Sequence, residues 1–367
     1  MQARHTQLRQ AFSTARRERK ARHRDIAQSL AVSEAELLAA HVGAFGETES
    51  PLRARPLRPA WQDLIAALEP LGELMALTRN ESCVHEKVGV YRHVSAQGPQ
   101  RLVGLVLAGE IDLRVFYSHW SVGFAVSERL ADGALQRSLQ FFDAAGQAIH
   151  KIFLRPGSDA DAYEALVQRF QDDDALQDWQ PGRAWEEPAE RPDADIDAAA
   201  LRRDWASLRD THDFFGLLKR HGVSRTQALR LADPSFAQPL PVASAHELLS
   251  RAAQERVSIM VFVGNPGMIQ IHSGPVQKVA VSGPWINVLD PGFNLHLRED
   301  HIASAWLVRK PTVDGLVCSL ELFDAQGRTI AMMFGERKPG QAERCDWRTL
   351  LESLADGQSR PAGGLPC

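Results

Sequence analysis

The sequence predicts an α+β protein built as a tandem structural repeat, each half a large antiparallel sheet of meander type with helices packed on it. Three observations predict it. The two halves match each other at a nearly constant offset, strand-length alternation fills the later part of each half, and helical periodicity is confined to the ends. Ser138-Leu139-Gln140-Phe141-Phe142-Asp143 returns 181 residues later as Ser319-Leu320-Glu321-Leu322-Phe323-Asp324. Asp112-Leu113-Arg114-Val115 pairs with Asn294-Leu295-His296-Leu297 at an offset of 182, and Asn80 with Gly89 pairs with Asn265 and Gly274 at 185. Drifts this small are what loop insertions leave behind.

Each half opens with two helices, the second started by a capping-box signature: Ser33-x-x-Glu36 in the first half and Ser224-x-x-Gln227 in the second. A third helix is expected at 61–71 and its counterpart at 244–254. Short segments rich in β-branched residues and punctuated by Gly, Pro and Asp follow at 259–263, 268–272, 276–281, 285–289, 293–297, 303–309, 316–323 and 329–334. An amphipathic helix closes each half, near 159–170 and 343–354, so that helices cover one face of each sheet. A βαβ arrangement would need helices between the strands, and the pattern has none. The halves are bounded as 1–171 and 198–367. Between them, residues 172–197 carry ten acidic against two basic residues together with Pro181, Pro188 and Pro192, which reads as a solvated linker.

Composition excludes several classes of function. At 367 residues the chain is long enough for two domains of ordinary size. Lys+Arg 42 against Asp+Glu 46 leaves a net charge of −4, too balanced for a general nucleic-acid or anionic-membrane binder. No apolar run is long enough to span a bilayer and no signal-peptide core stands at the N-terminus, so a cytoplasmic protein without membrane insertion is expected. The cysteines, Cys83, Cys318, Cys345 and Cys367, lack metal-ligand spacing and read as reduced, mostly buried thiols. Phosphate-loop, dinucleotide, serine-hydrolase and zincin signatures are absent. One local exception is basic: residues 1–24 hold eight Lys/Arg against one Glu, which raises nucleic-acid contact as a weak reading against a solvated helix face.

The segment 201–222 places Leu201, Trp205, Leu208, His212 and Phe215 at spacings of four and three, the stripe of a single helix, with His212 on its apolar side. By itself such a histidine reads as a satisfied core residue. Isolated cations such as Arg114, Arg225, Lys310 and Arg337 read as ordinary solvated charges, and His85 as a partly exposed strand residue.

A resemblance changes the weight of these residues. Thr211-His212-Asp213-Phe214-Phe215-x-Leu217-Leu218-Lys219-Arg220-His221 is similar to the ligand helix of the bacterial cytoplasmic haem-trafficking and haem-degrading family of the HemS/ChuS/PhuS type. Arg79-Asn80-Glu81, Leu113-Arg114-Val115-Phe116, Ile259-Met260-Val261-Phe262-Val263-Gly264-Asn265, Trp306 with Arg309-Lys310-Pro311-Thr312, and Ser319-Leu320-Glu321-Leu322-Phe323 resemble the same family in the same order, from about residue 25 to residue 354. The resemblance implies that haem b is the cofactor, that His212 is the axial metal ligand and that Arg114 lies on the distal side with Phe116 on the same strand face. It further implies that Phe262 contacts the porphyrin and that Arg225, Lys310 and Arg337 meet the propionates. Haem is then the principal partner, with a downstream haem oxygenase and an inner-membrane haem importer on either side of it, and the protein a monomer or weak dimer. The implied function is receipt of imported haem and its delivery for degradation and iron release. An oxygenase-like haem-degrading enzyme is the alternative, and a haem-responsive nucleic-acid binder a weaker one. Relatives of this type that carry extra histidines just before the ligand differ from this chain, which has Arg209 and Asp210 there.

Overall fold

The computed structural model describes residues 2–19, 21–44, 50–107, 109–176, 179–338 and 340–355. They form two compact units. The first holds residues up to Arg79, then Glu86–Glu186 and Asn265–Gln270; the second holds Asn80–His85, Glu187–Gly264 and residues from Ile271 onward.

The first half of the chain begins with helices α1 (Gln2–Arg19), α2 (His23–Ser29) and α3 (Glu34–Ala39), followed by strand β1 (Leu52–Leu57), helix α4 (Trp61–Ala66) and strand β2 (Leu74–Arg79). Strands β3 (Cys83–Gly89), β4 (Val94–Gln97), β5 (Val103–Leu107), β6 (Asp112–Phe116), β7 (Val122–Arg129), β8 (Leu135–Phe142) and β9 (Ala148–Leu154) come next, and α5 (Ala160–Phe170) closes it. The second half repeats the plan with α6 (Ala198–Ala206), α7 (Asp213–His221), α8 (Arg225–Leu231), β10 (Ala237–Leu240), α9 (Ser244–Glu255), β11 (Ile259–Asn265) and β12 (Met268–Gly274). It ends with β13 (Val279–Ser282), β14 (Trp285–Asp290), β15 (Phe293–Arg298), β16 (Ser304–Thr312), β17 (Gly315–Phe323), β18 (Thr329–Gly335) and α10 (Cys345–Ala355).

Strand order shows how faithfully the repeat is kept. In the first half of the chain the order β1-β7-β8-β9-β2-β3 matches β10-β16-β17-β18-β11-β12 in the second. The register slips between Phe141 and Phe142 on β8 and between Leu322 and Phe323 on β17, the same place in each copy. The turn after it is also shared: Asp143 accepts the Gln147 N–H at 2.8 Å and Asp324 the Arg328 N–H at 2.9 Å, with Gly146 and Gly327 both at φ +77. That left-handed backbone is what selects glycine.

Asn80 and Asn265 show why the repeat extends to single polar residues. Asn80 Nδ2 donates to the carbonyls of Gly264 and Ile330 at 3.1 and 2.8 Å, inside the second unit. Asn265 Nδ2 donates to those of Arg79 and Ile149, both at 2.9 Å, inside the first. Each amide thus bonds two backbone carbonyls at the point where a short segment of one half joins the other unit.

The sheets differ from expectation in one respect: helices cover both faces. In the second unit α9 and α10 pack on one face, through Leu249, Trp347 and Leu351 against Leu307, Leu320 and Met333. On the other face Trp205, Phe214, Leu217 and Leu229 meet Val308 and Phe323. Strand β17 is accordingly buried without interruption from Val317 to Phe323, where a half-solvated strand would alternate. The first unit is built alike, with α4 and α5 on one face and α1 to α3 around Phe124 and Phe142 on the other.

Other expectations are also revised. The first half opens with three helices, because α1 precedes the pair expected, and its basic face is not simply solvated: Phe12 is fully buried, and Arg16 pairs with Glu128 of β7. His85 is fully buried on β3, its ring 5.0 Å from that of Phe293. The later part of the acidic segment is exposed but held, with Asp193 and Glu190 gripping Arg230 of α8. Cys83 and Cys318 are free thiols, both buried.

Candidate functional site

The 201–222 segment is two helices, not one. Helix α6 ends at Ala206, with the Ser207 N–H returned to the Arg203 and Asp204 carbonyls, and α7 begins at Asp213. Between the two helices Asp210 forms a side-chain turn, its Oδ1 accepting the His212 backbone N–H at 2.8 Å just ahead of α7. The apolar stripe therefore runs through Leu201, Trp205 and Leu208 and resumes at Phe214 and Leu217. His212, expected on that stripe, is instead the N-cap residue of α7, with its side chain 86% exposed. Phe215, one turn on, is 74% exposed.

The His212 ring is held despite its exposure. Its Nδ1 donates to Asp210 Oδ1 at 2.6 Å, so the other nitrogen, Nε2, carries the lone pair and points to solvent. The backbone N–H of His212, and then its ring, hold the Asp210 carboxyl below the usual carboxylate range, with Arg337 adding to this. Arg337 also lies 3.8 Å from Asp314 Oδ2, in the turn between β16 and β17. Val313 of that turn is exposed and its N–H bonds to the Arg209 carbonyl, which docks the turn against the segment carrying His212.

Two residues beyond His212, the Phe214 ring leads into a buried charge cluster. Arg225 donates through Nε and Nη2 to the two oxygens of Glu321 at 2.6 and 2.8 Å, a bidentate fork, and Lys310 Nζ donates to Glu321 at 2.6 Å. Both cations lie over the Phe214 ring, at 5.0 and 4.7 Å from its centroid. Lys310 is also 5.7 Å from the Phe334 ring, which in turn meets Phe262 edge-on at 5.1 Å. The structure thus brings Arg225, Lys310 and Phe262 into one cluster, where residue types alone suggested solvated charges. Burial alone would raise the Glu321 carboxyl, but Arg225 and Lys310 hold it far below the usual range. Burial draws the Lys310 ammonium down to about 8 although Glu321 opposes this. One Arg and one Lys against one Glu leave the cluster with a net positive charge beside an apolar wall, a setting that favours an incoming anion.

Arg114 and Phe116 stand in the first unit, on one face of β6, and Arg114 pairs with Asp112 beside it. The counterpart of Arg114 in the second unit, His296 on β15, bonds through Nδ1 to Asn287 Oδ1 at 2.7 Å. Sequence reasoning missed Glu321, Asp210 and Phe334. A signal existed for Glu321, since Ser319 and Glu321 alternate on one strand face inside an apolar run, a buried polar pair that demands partners. Asp210 was visible as an Asp-x-His spacing but without the helix break that makes the contact.

The residues 31–170 and 222–354 match the family model described as the haemin-degrading HemS.ChuX domain. The chain belongs to this HemS/ChuX family. Among characterised relatives, the hemin transport protein HmuS of Yersinia pestis is 39% identical over 337 residues, covering 90% of this chain and 92% of HmuS. The solved structure of holo-PhuS, a heme-binding protein from Pseudomonas aeruginosa, has a TM-score of 0.87 at 48% identity and covers 95% of this chain and 99% of PhuS. That of the heme degrading enzyme ChuS from Escherichia coli O157:H7 has a TM-score of 0.84 at 35% identity, with the same coverage. The two-unit α+β architecture of this HemS/ChuX chain is therefore that of solved relatives. Among its described residues no helix is long and apolar enough to cross a membrane, and no group of three or more His, Cys, Asp or Glu could hold a metal ion.

Proposed function

We propose that this chain is a cytoplasmic haem carrier, which receives imported haem b and passes it to a haem-degrading enzyme, with His212 as its protein ligand to iron. The observation that carries the reading is the state of His212: solvent-facing at Nε2, fixed at Nδ1 by Asp210, and flanked by the exposed apolar residue Phe215. Leaving the apolar Phe215 ring in water beside a held imidazole forgoes its burial, and suits a flat apolar ligand that covers both. The residues fit haem in charge as well. Its two propionates require cations, and Arg225, Lys310 and Arg337 supply them, the first two from a cluster that is one negative charge short of neutral. When bound, haem supplies the iron; the chain supplies an oriented ligand, an apolar wall and the cationic rim. The relatives named above, a hemin transport protein and a heme-binding protein among them, support the same reading.

A haem-degrading enzyme is the second reading, favoured by the likeness to ChuS. The two are separated by reducing the purified haem complex anaerobically and admitting oxygen in the presence of catalase, which removes bleaching by peroxide formed in solution. A carrier keeps its haem until a separate haem oxygenase is added. Release of iron and an open tetrapyrrole by the protein alone would establish the enzyme instead.

A further inference from the structure

We propose that Asp210 is the positioning residue of His212, fixing its tautomer and raising the donor strength of its Nε2. The inference rests on the reading of His212 as iron ligand. Asp210 Oδ1 takes two hydrogen bonds from the same residue, the His212 backbone N–H at 2.8 Å and the ring Nδ1–H at 2.6 Å. A single oxygen thereby sets both the backbone turn and the ring orientation. The turn is closed by the Asp213 N–H on the Asp210 carbonyl at 3.1 Å, so carboxylate and imidazole are carried by one short rigid loop at the entry to α7.

The chemistry follows from which partner can donate. A carboxylate offers only lone pairs, so the proton must reside on Nδ1 and the lone pair on Nε2. Free neutral imidazole has no such constraint and exchanges between its tautomers. Asp210 removes that exchange. It also pushes electron density toward Nε2, because a ring whose N–H is given to a carboxylate is a stronger base at its other nitrogen, the arrangement by which outer partners tune metal-binding histidines. In the open site water weakens this bond, the Asp210 side chain being 58% exposed. A flat ligand covering His212 and Phe215 excludes that water and strengthens it. The effect therefore grows on binding. Such a partner stabilises the more positive, ferric state over the ferrous one.

The test uses the full chain with Asp210→Ala, Asp210→Asn and Asp210→Glu. In the haem-free protein, ring ¹⁵N shifts of His212 should report a single Nδ1–H tautomer in the wild type. Asp210→Ala should give an exchanging mixture, and Asp210→Glu should restore the single form in part. In the haem complex reduced to the ferrous state, the iron–histidine stretching frequency should fall in Asp210→Ala and Asp210→Asn and recover toward wild type in Asp210→Glu, while the reduction potential rises in the first two. Hemin affinity should drop roughly 10- to 100-fold, the usual effect of deleting such a partner. Unchanged tautomer, frequency and potential in Asp210→Ala overturn the inference. A His212→Ala protein with the wild-type hemin spectrum and affinity overturns instead the assignment of His212 as ligand, so the two failures are distinguishable.

Discussion

Replacing Glu321 by Gln should destabilise the haem-free protein by about 3 kcal/mol while making added hemin more protective than in the wild type. Glu321 is fully buried and accepts four hydrogen bonds, from Arg225 Nε and Nη2 at 2.6 and 2.8 Å, Lys310 Nζ at 2.6 Å and Ser319 Oγ at 3.0 Å. Removing the anion from a buried ion cluster costs about 3 to 5 kcal/mol, because the remaining charges are left without compensation. Two escapes place the value at the lower end. The Arg225 side chain is 23% exposed and can turn toward water. Lys310, already drawn down to about 8 by burial, loses its counter-ion and sheds its proton near neutral pH, each further unit of displacement being worth about 1.4 kcal/mol. Hemin should reverse the sign, since its propionates supply the missing negative charge. Urea unfolding monitored by tryptophan fluorescence is suitable, as Trp205 and Trp347 are both fully buried in the second unit. Adding Lys310→Met to Glu321→Gln should recover stability, an apolar side chain being better accommodated there than a buried amine without its partner, charged or neutral. A loss below about 1 kcal/mol, or a double variant less stable than the single one, would refute the reasoning.

Further expectations concern the ligand, the rim and the fold. His212→Ala should abolish axial coordination and shift the Soret and visible bands; His221 is not a ready substitute, because its Nε2 already bonds Asp204 at 2.9 Å. Hemin dimethyl ester should bind more weakly than hemin, each lost charged hydrogen bond being worth about 1.5 to 3 kcal/mol, and Arg337→Ala should narrow the gap between the two ligands. Arg114→Ala tests the distal assignment that the family resemblance implies, and should alter the sixth ligand and the rate of hemin release while leaving the His212 bond in place. In the first unit, Lys151 and Arg79 hold the Glu34 carboxyl down to about 2 against the effect of burial, from a reference value of 4.5. A carboxyl depressed on folding adds stability that is complete above its unfolded value, so stability should fall as the pH drops from about 4.5 toward 2. Acid unfolding of Glu34→Gln should show a shallower loss over that interval.

Much of the protein was legible in its amino-acid order because the repeat supplies an internal check on each local reading. Ser33 forms the full capping box with Glu36, donating its N–H to Glu36 Oε2 at 2.9 Å while Ser33 Oγ accepts the Glu36 N–H at 3.2 Å. Its counterpart Ser224 keeps only half of it, accepting the Gln227 N–H at 3.0 Å, because Gln227 turns its amide to the Arg191 carbonyl. The expected strands lie within a few residues of β11 to β18, since alternation and glycine punctuation are local properties of the backbone. Local pattern failed where a distant or polar neighbour decided the outcome. Four-and-three spacing ran a single helix through Asp210, whereas α6 stops at Ala206 and a turn held by the Asp210 side chain on the His212 N–H leads into α7, which leaves the histidine at the surface. Arg225 and Lys310 carry no mark in sequence that separates them from solvated cations; Glu321, 96 and 11 residues away, brings them inside. Sequence thus determined most of the segments that become helix and strand, though not α1 or the gap between α6 and α7, and that the plan is used twice. Tertiary packing alone decided which charges are buried, since burial depends on partners that only the folded sheet makes adjacent.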